Sequence, residues 1–485
     1  MRRLFPLLLF ALALVPAGCR QQPHGAVKVT VIGNQPHVRD PAAGPLSAPD
    51  QVLLQNVAQG LVQFDASGNI IPGLAERWNV SDDGLSYIFR IAPAQWADGR
   101  DITAQQVARA LKRYLGARSK DPIKDTVGAV EDVVAMTDRV IEIQLIAPRP
   151  NLLPLLAQPE LAILRGGYGS GPFTLARDSK AELHLVREIA APDGDARRSE
   201  EVLVSGAPAS AAVTAFSAGK SDLVLGGTFA DLAYAQRAKL PRNGLFFDPA
   251  SGLFGLIPVG AAAGSADADL RKLLSQAIDR ESLVAALGVP GLAPRATVLE
   301  PGLDGLPAPV APAWSASPLA DRIPALKAQV RRLYGASASL TIRVVLPSGP
   351  GGDLLLRELA RDWGAIGFSV ERGPGPGIAT FALIDEVAPS SSPAWFVRRF
   401  RCGAVAICDP DADQLMEAAR TAQVPAQRYA LLGQAAGKID DAQLFIPLSA
   451  PVRWSLVSRR IQNFAGNRYA RHTLTDLEQR PGSEE

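Results

Sequence analysis

Segments with a two-residue apolar alternation and segments with a helical apolar stripe follow one another along most of this chain, and that order limits the folds open to it. Residues 27–33 (VKVTVIG) are β-branched and alternating, so they read as a strand entering a core. Residues 50–65 carry apolar side chains at 53, 54, 57, 58 and 61, a helix face. Residues 267–288 read as two helices, with Asp279 capping the second and Gly288 ending it. Residues 340–346 (LTIRVVL) are a strand, 353–367 a capped helix, and FSVE the strand after it. The run PAQRYALLGQAAGKIDDAQLFIPLS is a helix leading into a strand. The pattern predicts an α/β protein with mixed sheets flanked by helices. Residues 291–318 are rich in Pro, Gly and Ala and read as a long surface loop. No repeat of 20–50 residues interrupts this order.

The most strongly patterned stretch is 76–107, ERWNVSDDGLSYIFRIAPAQWADGRDITAQQV. SDDG is a hairpin turn, and Leu85, Tyr87, Phe89 and Ile91 then alternate onto one side of a strand. A second turn, WADG, precedes Thr103, which has Gln106 at capping-box spacing. Val107, Leu111, Tyr114 and Leu115 give the helix that follows an apolar face. The stretch holds no nucleophile, metal cluster or phosphate loop, so its residues read as scaffold.

The 485 residues are enough for two to four domains. With 47% hydrophobic and 20% charged residues, the chain is globular. A net charge of +2 without a long basic block excludes nucleic acid as a partner. The four histidines, His24, His37, His184 and His472, are scattered, which argues against a built-in metal site or cofactor. The patterns G-x-S-x-G, H-E-x-x-H and the phosphate-binding P-loop are absent, and GGYGSGPF (166–173) has no Lys, so no catalytic residue is assigned.

The N-terminus carries MRR, a run of about a dozen apolar residues too short to span a bilayer, and then PAGC ending at Cys19. Residues 1–18 read as a signal peptide, and VPAGC resembles a bacterial lipobox in which Cys19 becomes lipidated, with 19–25 the lipidated Cys and its tether. The motif departs at Pro16, where Leu is usual. The alternative is an ordinary secretory cleavage near Ala17-Gly18. Export implies an oxidising compartment. Cys402 and Cys408, in CGAVAIC, then either close a small disulfide ring or remain two buried thiols.

Six blocks, in order, resemble one family, the extracellular solute-binding proteins of ABC importers, family 5, which takes dipeptides, oligopeptides and nickel complexes. The first is VAQGLVQFDASGNIIPGLAERWNVSDDGLSYIFRIAPAQWADGRDITAQQVARAL, similar to the family's signature region. The others are GSGPFTL, FSAGKSDLVL, DADLRKLLSQAIDRESLV, DWGAIGFSVE and IPLSAPVRWSLVSRRIQNF. Together they cover about 27–470. The resemblance implies a two-lobed periplasmic-binding-protein clamshell. Lobe I would comprise 26–45, 169–250 and 453–475, with an accessory domain, 46–168, inserted in it. Lobe II would comprise 251–452, leaving 476–485 as a tail. It further implies a monomeric periplasmic or cell-surface receptor, membrane-anchored through its lipid. Such a receptor holds a short peptide between its lobes and delivers it to an ABC permease. Non-peptide cargo (a nickel chelate, haem, a sugar or another amine) and a surface lipoprotein without uptake function are the alternatives.

In peptide-binding members of the family an Asp in a GW.aDy.dP segment pairs with the peptide's amino group. The matching region here is ATFALIDEVAPSSSPAWFVRRF. Aligned on Pro393, the amine-binding position falls on Pro389 and the Gly-Trp pair on Asp385-Glu386. A shift of four residues makes Asp385 the first candidate, with Glu386 second. Trp395 either stacks on the ligand or packs, with packing preferred. In the loop NQPHVRDP, Asn34, His37 and Arg39 are candidates for reaching the cleft, Arg39 as a bidentate carboxylate partner.

Overall fold

The computed structural model describes residues 25–96, 98–179, 182–190, 197–260, 267–335, 340–475 and 477. Residues 1–24, which include the segment read as a signal peptide and Cys19 with most of the tether read after it, lie outside the described residues, as does most of the 476–485 tail. No helix among the described residues is long and apolar enough to cross a membrane.

The strand Val27–Ile32 forms as its alternation predicts, with Val27, Val29 and Val31 buried. It lies inside a seven-stranded mixed sheet, parallel to both of its neighbours, Arg197–Ala207 and Leu223–Thr228. On one side of this trio the sheet continues through Arg453–Val457 to Leu245–Phe247, and on the other through Leu183–Ala190 to Thr174–Asp178. A second, five-stranded sheet is ordered Ser369–Arg372, Thr341–Val345, Phe381–Val387, Gly252–Pro258 and Ile446–Ser449. One hydrophobic core joins the two sheets: Val224, Trp454 and Leu456 of the first pack with Leu256, Ile342, Val344 and Phe381 of the second.

The chain passes between these sheets at 248–251 and again at 450–452. Both crossings link strands that are antiparallel neighbours in each sheet. Two short adjacent crossings of this kind are a hinge geometry, because few backbone angles need change for the sheets to rotate. Asp248 fixes the first crossing, accepting from the Asn467 backbone N at 2.9 Å and lying 3.2 Å from His472 Nε2.

A four-stranded antiparallel sheet, Ala75–Val80, Ser86–Ile91, Val140–Leu145 and Val130–Thr137, holds the patterned stretch. Tyr87, Phe89 and Ile91 are buried while Ile88 and Arg90 face out. Burying Phe89 contributes about 2–3 kcal/mol by itself. The helix Ala104–Leu115 has the predicted capping box and packs Val107, Leu111 and Tyr114 inward. Gln106 does more than cap: its Oε1 also accepts from Trp96 Nε1 at 2.8 Å, tying the second turn to the helix start. Gln106→Ala therefore leaves the buried Trp96 N–H without its partner. We expect a loss of about 2 kcal/mol in urea unfolding. A loss below about 0.5 kcal/mol would mean that water replaces the amide.

Two expectations change. The helix read over 50–65 is Ala48–Val57, and the chain then runs extended. A side chain at Gly60 would meet the Leu156 carbonyl oxygen at 2.6 Å, so a close backbone approach ends the helical stripe, and Leu61 is buried from extended chain instead. Residues 291–318 are not wholly a surface loop: Val298, Leu299 and Leu303 enter a core with Phe396, Phe400 and Leu432. Glu300 is buried beside Ser251 and paired with Arg295. The second helix of 267–288 ends as predicted, with Gly288 at φ +63°, a left-handed cap that a side chain would strain. Cys402 and Cys408 are joined, with sulfurs 2.10 Å apart.

Candidate functional site

A cavity of about 660 Å³ lies between the four-stranded domain and the five-stranded lobe, with Gly226, Thr228 and Arg453 of the seven-stranded sheet also lining it. The two walls touch around it. Gln158 Nε2 donates to the Pro389 carbonyl at 3.0 Å, and Gln423 Nε2 to Ile146 O at 3.0 Å. Arg149 Nη2 reaches Arg420 O at 2.7 Å, and Arg401 pairs with Asp125 at 3.2 Å. The cleft is bridged by these contacts, stays partly open to solvent, and has a volume suited to a small ligand.

Three of the sequence candidates line the cavity: Asp385, Glu386 and Trp395. Asp385, in the central strand Phe381–Val387, already has a counterion. Arg453 Nη1 lies 2.7 Å from its Oδ1, and Arg453 Nη2 donates to its carbonyl at 2.9 Å. Burial pushes the Asp385 carboxyl up, and the Arg453 charge opposes that. Glu386 pairs with Arg399. Trp395 is 9% exposed and meets Phe396 edge-on at 5.0 Å, so it packs more than it presents a face. Asn34, His37 and Arg39 are not among the lining residues. Their loop folds back on the start of the helix Ala48–Val57, where Asp50 accepts from the His37 backbone N at 2.8 Å and lies 3.8 Å from Arg39.

Two acids that sequence reasoning missed, Asp121 and Glu160, also line the cavity. Asp121 is 3% exposed; its Oδ1 accepts from Ile123 N at 2.8 Å, while Oδ2 has no donor among the described residues. Glu160 Oε1 takes Gln51 Nε2 at 2.8 Å and lies 3.7 Å from Arg471, while Oε2 likewise lacks a donor. Burial, with a smaller push from Glu160, raises the Asp121 carboxyl to about 6. Two buried carboxylates that each keep one oxygen without a donor, and that feel one another's charge, suit a cationic guest. Among the described residues no group of three or more His, Cys, Asp or Glu stands where a metal ion would be held.

Residues 69–371 match the family described as "Bacterial extracellular solute-binding proteins, family 5 Middle". The chain belongs to that family. A curated relative in Pseudomonas aeruginosa, described as probable di/tripeptide-binding protein 5, is 24% identical over 484 residues, covering 86% of this chain and 88% of that one. Among solved structures, Haemophilus influenzae OppA in complex with RPPGFSPFR superposes with a TM-score of 0.79 at 18% identity, over 94% of this chain and all of that one. The Escherichia coli murein tripeptide binding protein MppA gives 0.78 at 17% identity, over 93% and 98%. The family-5 protein described here thus has the two-lobed α/β architecture of these binding proteins.

Asp121, Glu160, Arg149 and Arg428 carried no local sequence signal. Each stands alone among residues of ordinary loop or helix composition; the fold of the four-stranded domain gathers Asp121, Arg149 and Glu160 on one wall, and Arg428 joins them from the other.

Proposed function

We propose that this protein is the substrate-binding component of an ABC importer that captures a short peptide between its lobes and hands it to a membrane permease. The observation that supports this most is the cleft between the two walls, lined by Asp121 and Glu160, each with one buried carboxylate oxygen lacking a donor, a place for a ligand amine to be desolvated against charge. In this reading Asp121 and Glu160 receive the amino group, and Asp385, Glu386 and Trp395 shape the opposite wall. The domain limits are those read from the sequence, with 46–168 as the inserted domain and 450–452 as one hinge crossing. Ligand drives closure by binding the closed form better than the open one. Cys19 carries the lipid that holds the receptor, as a monomer, at a membrane of the periplasm or cell surface, and 19–25 is its tether. The protein has no catalytic role of its own.

Native mass spectrometry of the purified protein, followed by mild denaturation, tests the cargo. We expect released masses fitting peptides of two to five residues. A single non-peptide mass overturns the peptide assignment and keeps the receptor. An empty protein that no member of a peptide library stabilises against heat overturns both.

A further inference from the structure

Seven arginines and five acids line the cavity, and four of the arginines are committed to acids. Arg453 pairs with Asp385, Arg399 with Glu386, Arg401 with Asp125, and Arg471 with Glu160. Arg149, Arg398 and Arg428 remain. They come from separate elements: the loop before the helix Leu152–Leu156, the end of Pro393–Arg398, and the helix Pro425–Asp441. All three line the main cavity and also a small side pocket of about 30 Å³ that opens from the same corner.

None of the three has an ion-pair partner among the described residues. Arg149 is aimed by two backbone carbonyls, Pro148 O at 2.8 Å and Arg420 O at 2.7 Å, and is 8% exposed. Arg428 is 4% exposed and lies over the Tyr429 ring, with its guanidinium carbon 5.9 Å from the centroid. The acids that act on Arg398 and Arg428 from further off hold other partners: Asp125 holds Arg401, Glu417 holds Arg420, and Asp304 accepts from Ser391. Burial lowers all three guanidiniums, and each is lowered further by another arginine. Like charges gathered without a counterion in a largely buried corner are unfavourable unless something brings the opposite charge.

We infer that Arg149, Arg398 and Arg428 form a subsite for a ligand group carrying two negative charges, either a phosphoryl group or a pair of carboxylates. One terminal carboxylate would leave two of the three guanidiniums uncompensated, at least one of them buried. A planar fork of donors matches either group. The inference rests on the receptor reading and narrows its cargo to acidic or phosphorylated ligands.

The test is calorimetric binding to wild-type protein of three matched peptides: Ala-Gln-Gln, Ala-Glu-Glu and Ala-phosphoserine-Ala. Inorganic phosphate and succinate serve as peptide-free probes in thermal shift. We expect one or both acidic peptides to bind at least tenfold more tightly than Ala-Gln-Gln, and the preferred one identifies the group. Arg428→Gln is expected to remove most of that preference while the unliganded protein melts at the same temperature or higher. A merely structural arginine would lower it. Arg398→Gln is the second variant should the first not fold. Equal binding of all three peptides, or an unchanged preference in both variants, overturns the inference and leaves the receptor reading intact. If no peptide binds but phosphate or succinate stabilises wild type and not the variants, the subsite stands and the peptide cargo falls. If no probe acts on wild type, both fall.

Discussion

Asp385→Ala is expected to lower stability by about 3 kcal/mol, because it strands Arg453 in a buried site. Both side chains are 16% exposed, so water does little to replace the lost charge. Arg453 is the first residue of the strand that follows the 450–452 crossing, and Asp385 lies in the neighbouring sheet's central strand. The pair therefore ties one sheet to the other beside the 450–452 crossing. Read from the sequence alone, Asp385 is the amine anchor, and the same substitution should then weaken peptide binding more than tenfold. The structure gives the two roles different signatures. The double variant Asp385→Ala/Arg453→Met removes both charges and is expected to recover all but about 1 kcal/mol, measured by denaturant unfolding. If the recovered protein binds its ligand as wild type does, Asp385 serves the hinge. A stable double variant that no longer takes amine-bearing ligands returns Asp385 to the anchor role.

The difference between those signatures also explains what the sequence could reveal. Period and punctuation are local, so the strand Ser86–Ile91, the capping box at Thr103 and Gln106, and the left-handed Gly288 were all legible. The family resemblance carried the two-lobed architecture, because its blocks are scaffold that recurs in order along the chain. Pairing is not local. Nothing near Asp385 in the chain indicates that Arg453, 68 residues on, holds it. Nothing near Arg149 indicates that Arg428 shares its corner of the cavity. His37 and Arg39 were attractive because their side chains are chemically able, but the helix start at Ala48 supplies an acid, Asp50, that draws their loop away from the cleft. A charged side chain becomes a site residue only when the fold leaves it without a partner, and a sequence lists charges without their partners.

Asp121 is such a residue, and its titration gives the second large effect. Its carboxyl is raised from 3.8 to about 6, chiefly by burial. For an acid with a raised folded value, folding favours the protonated form. The stability cost of burying Asp121 is thus absent below about pH 4, grows as pH rises to about 6, and is fully present above that. Binding of an amine reverses the preference, since the guest needs the carboxylate. Below pH 6 the protein must release a proton to bind, so affinity for an amine-bearing ligand is expected to fall about tenfold between pH 7 and pH 5. Asp121→Asn keeps an oxygen for the Ile123 N–H but removes the charge. At pH 7.5 it is expected to weaken amine-bearing ligands by about 100-fold, to flatten the pH profile between 5 and 7, and to stabilise the unliganded protein by about 1–2 kcal/mol. Titration calorimetry in two buffers of different ionisation enthalpy reads the proton directly. A variant that binds as wild type does, with the same pH slope, removes Asp121 from the amine site and leaves Glu160 as the remaining underused acid in the cavity.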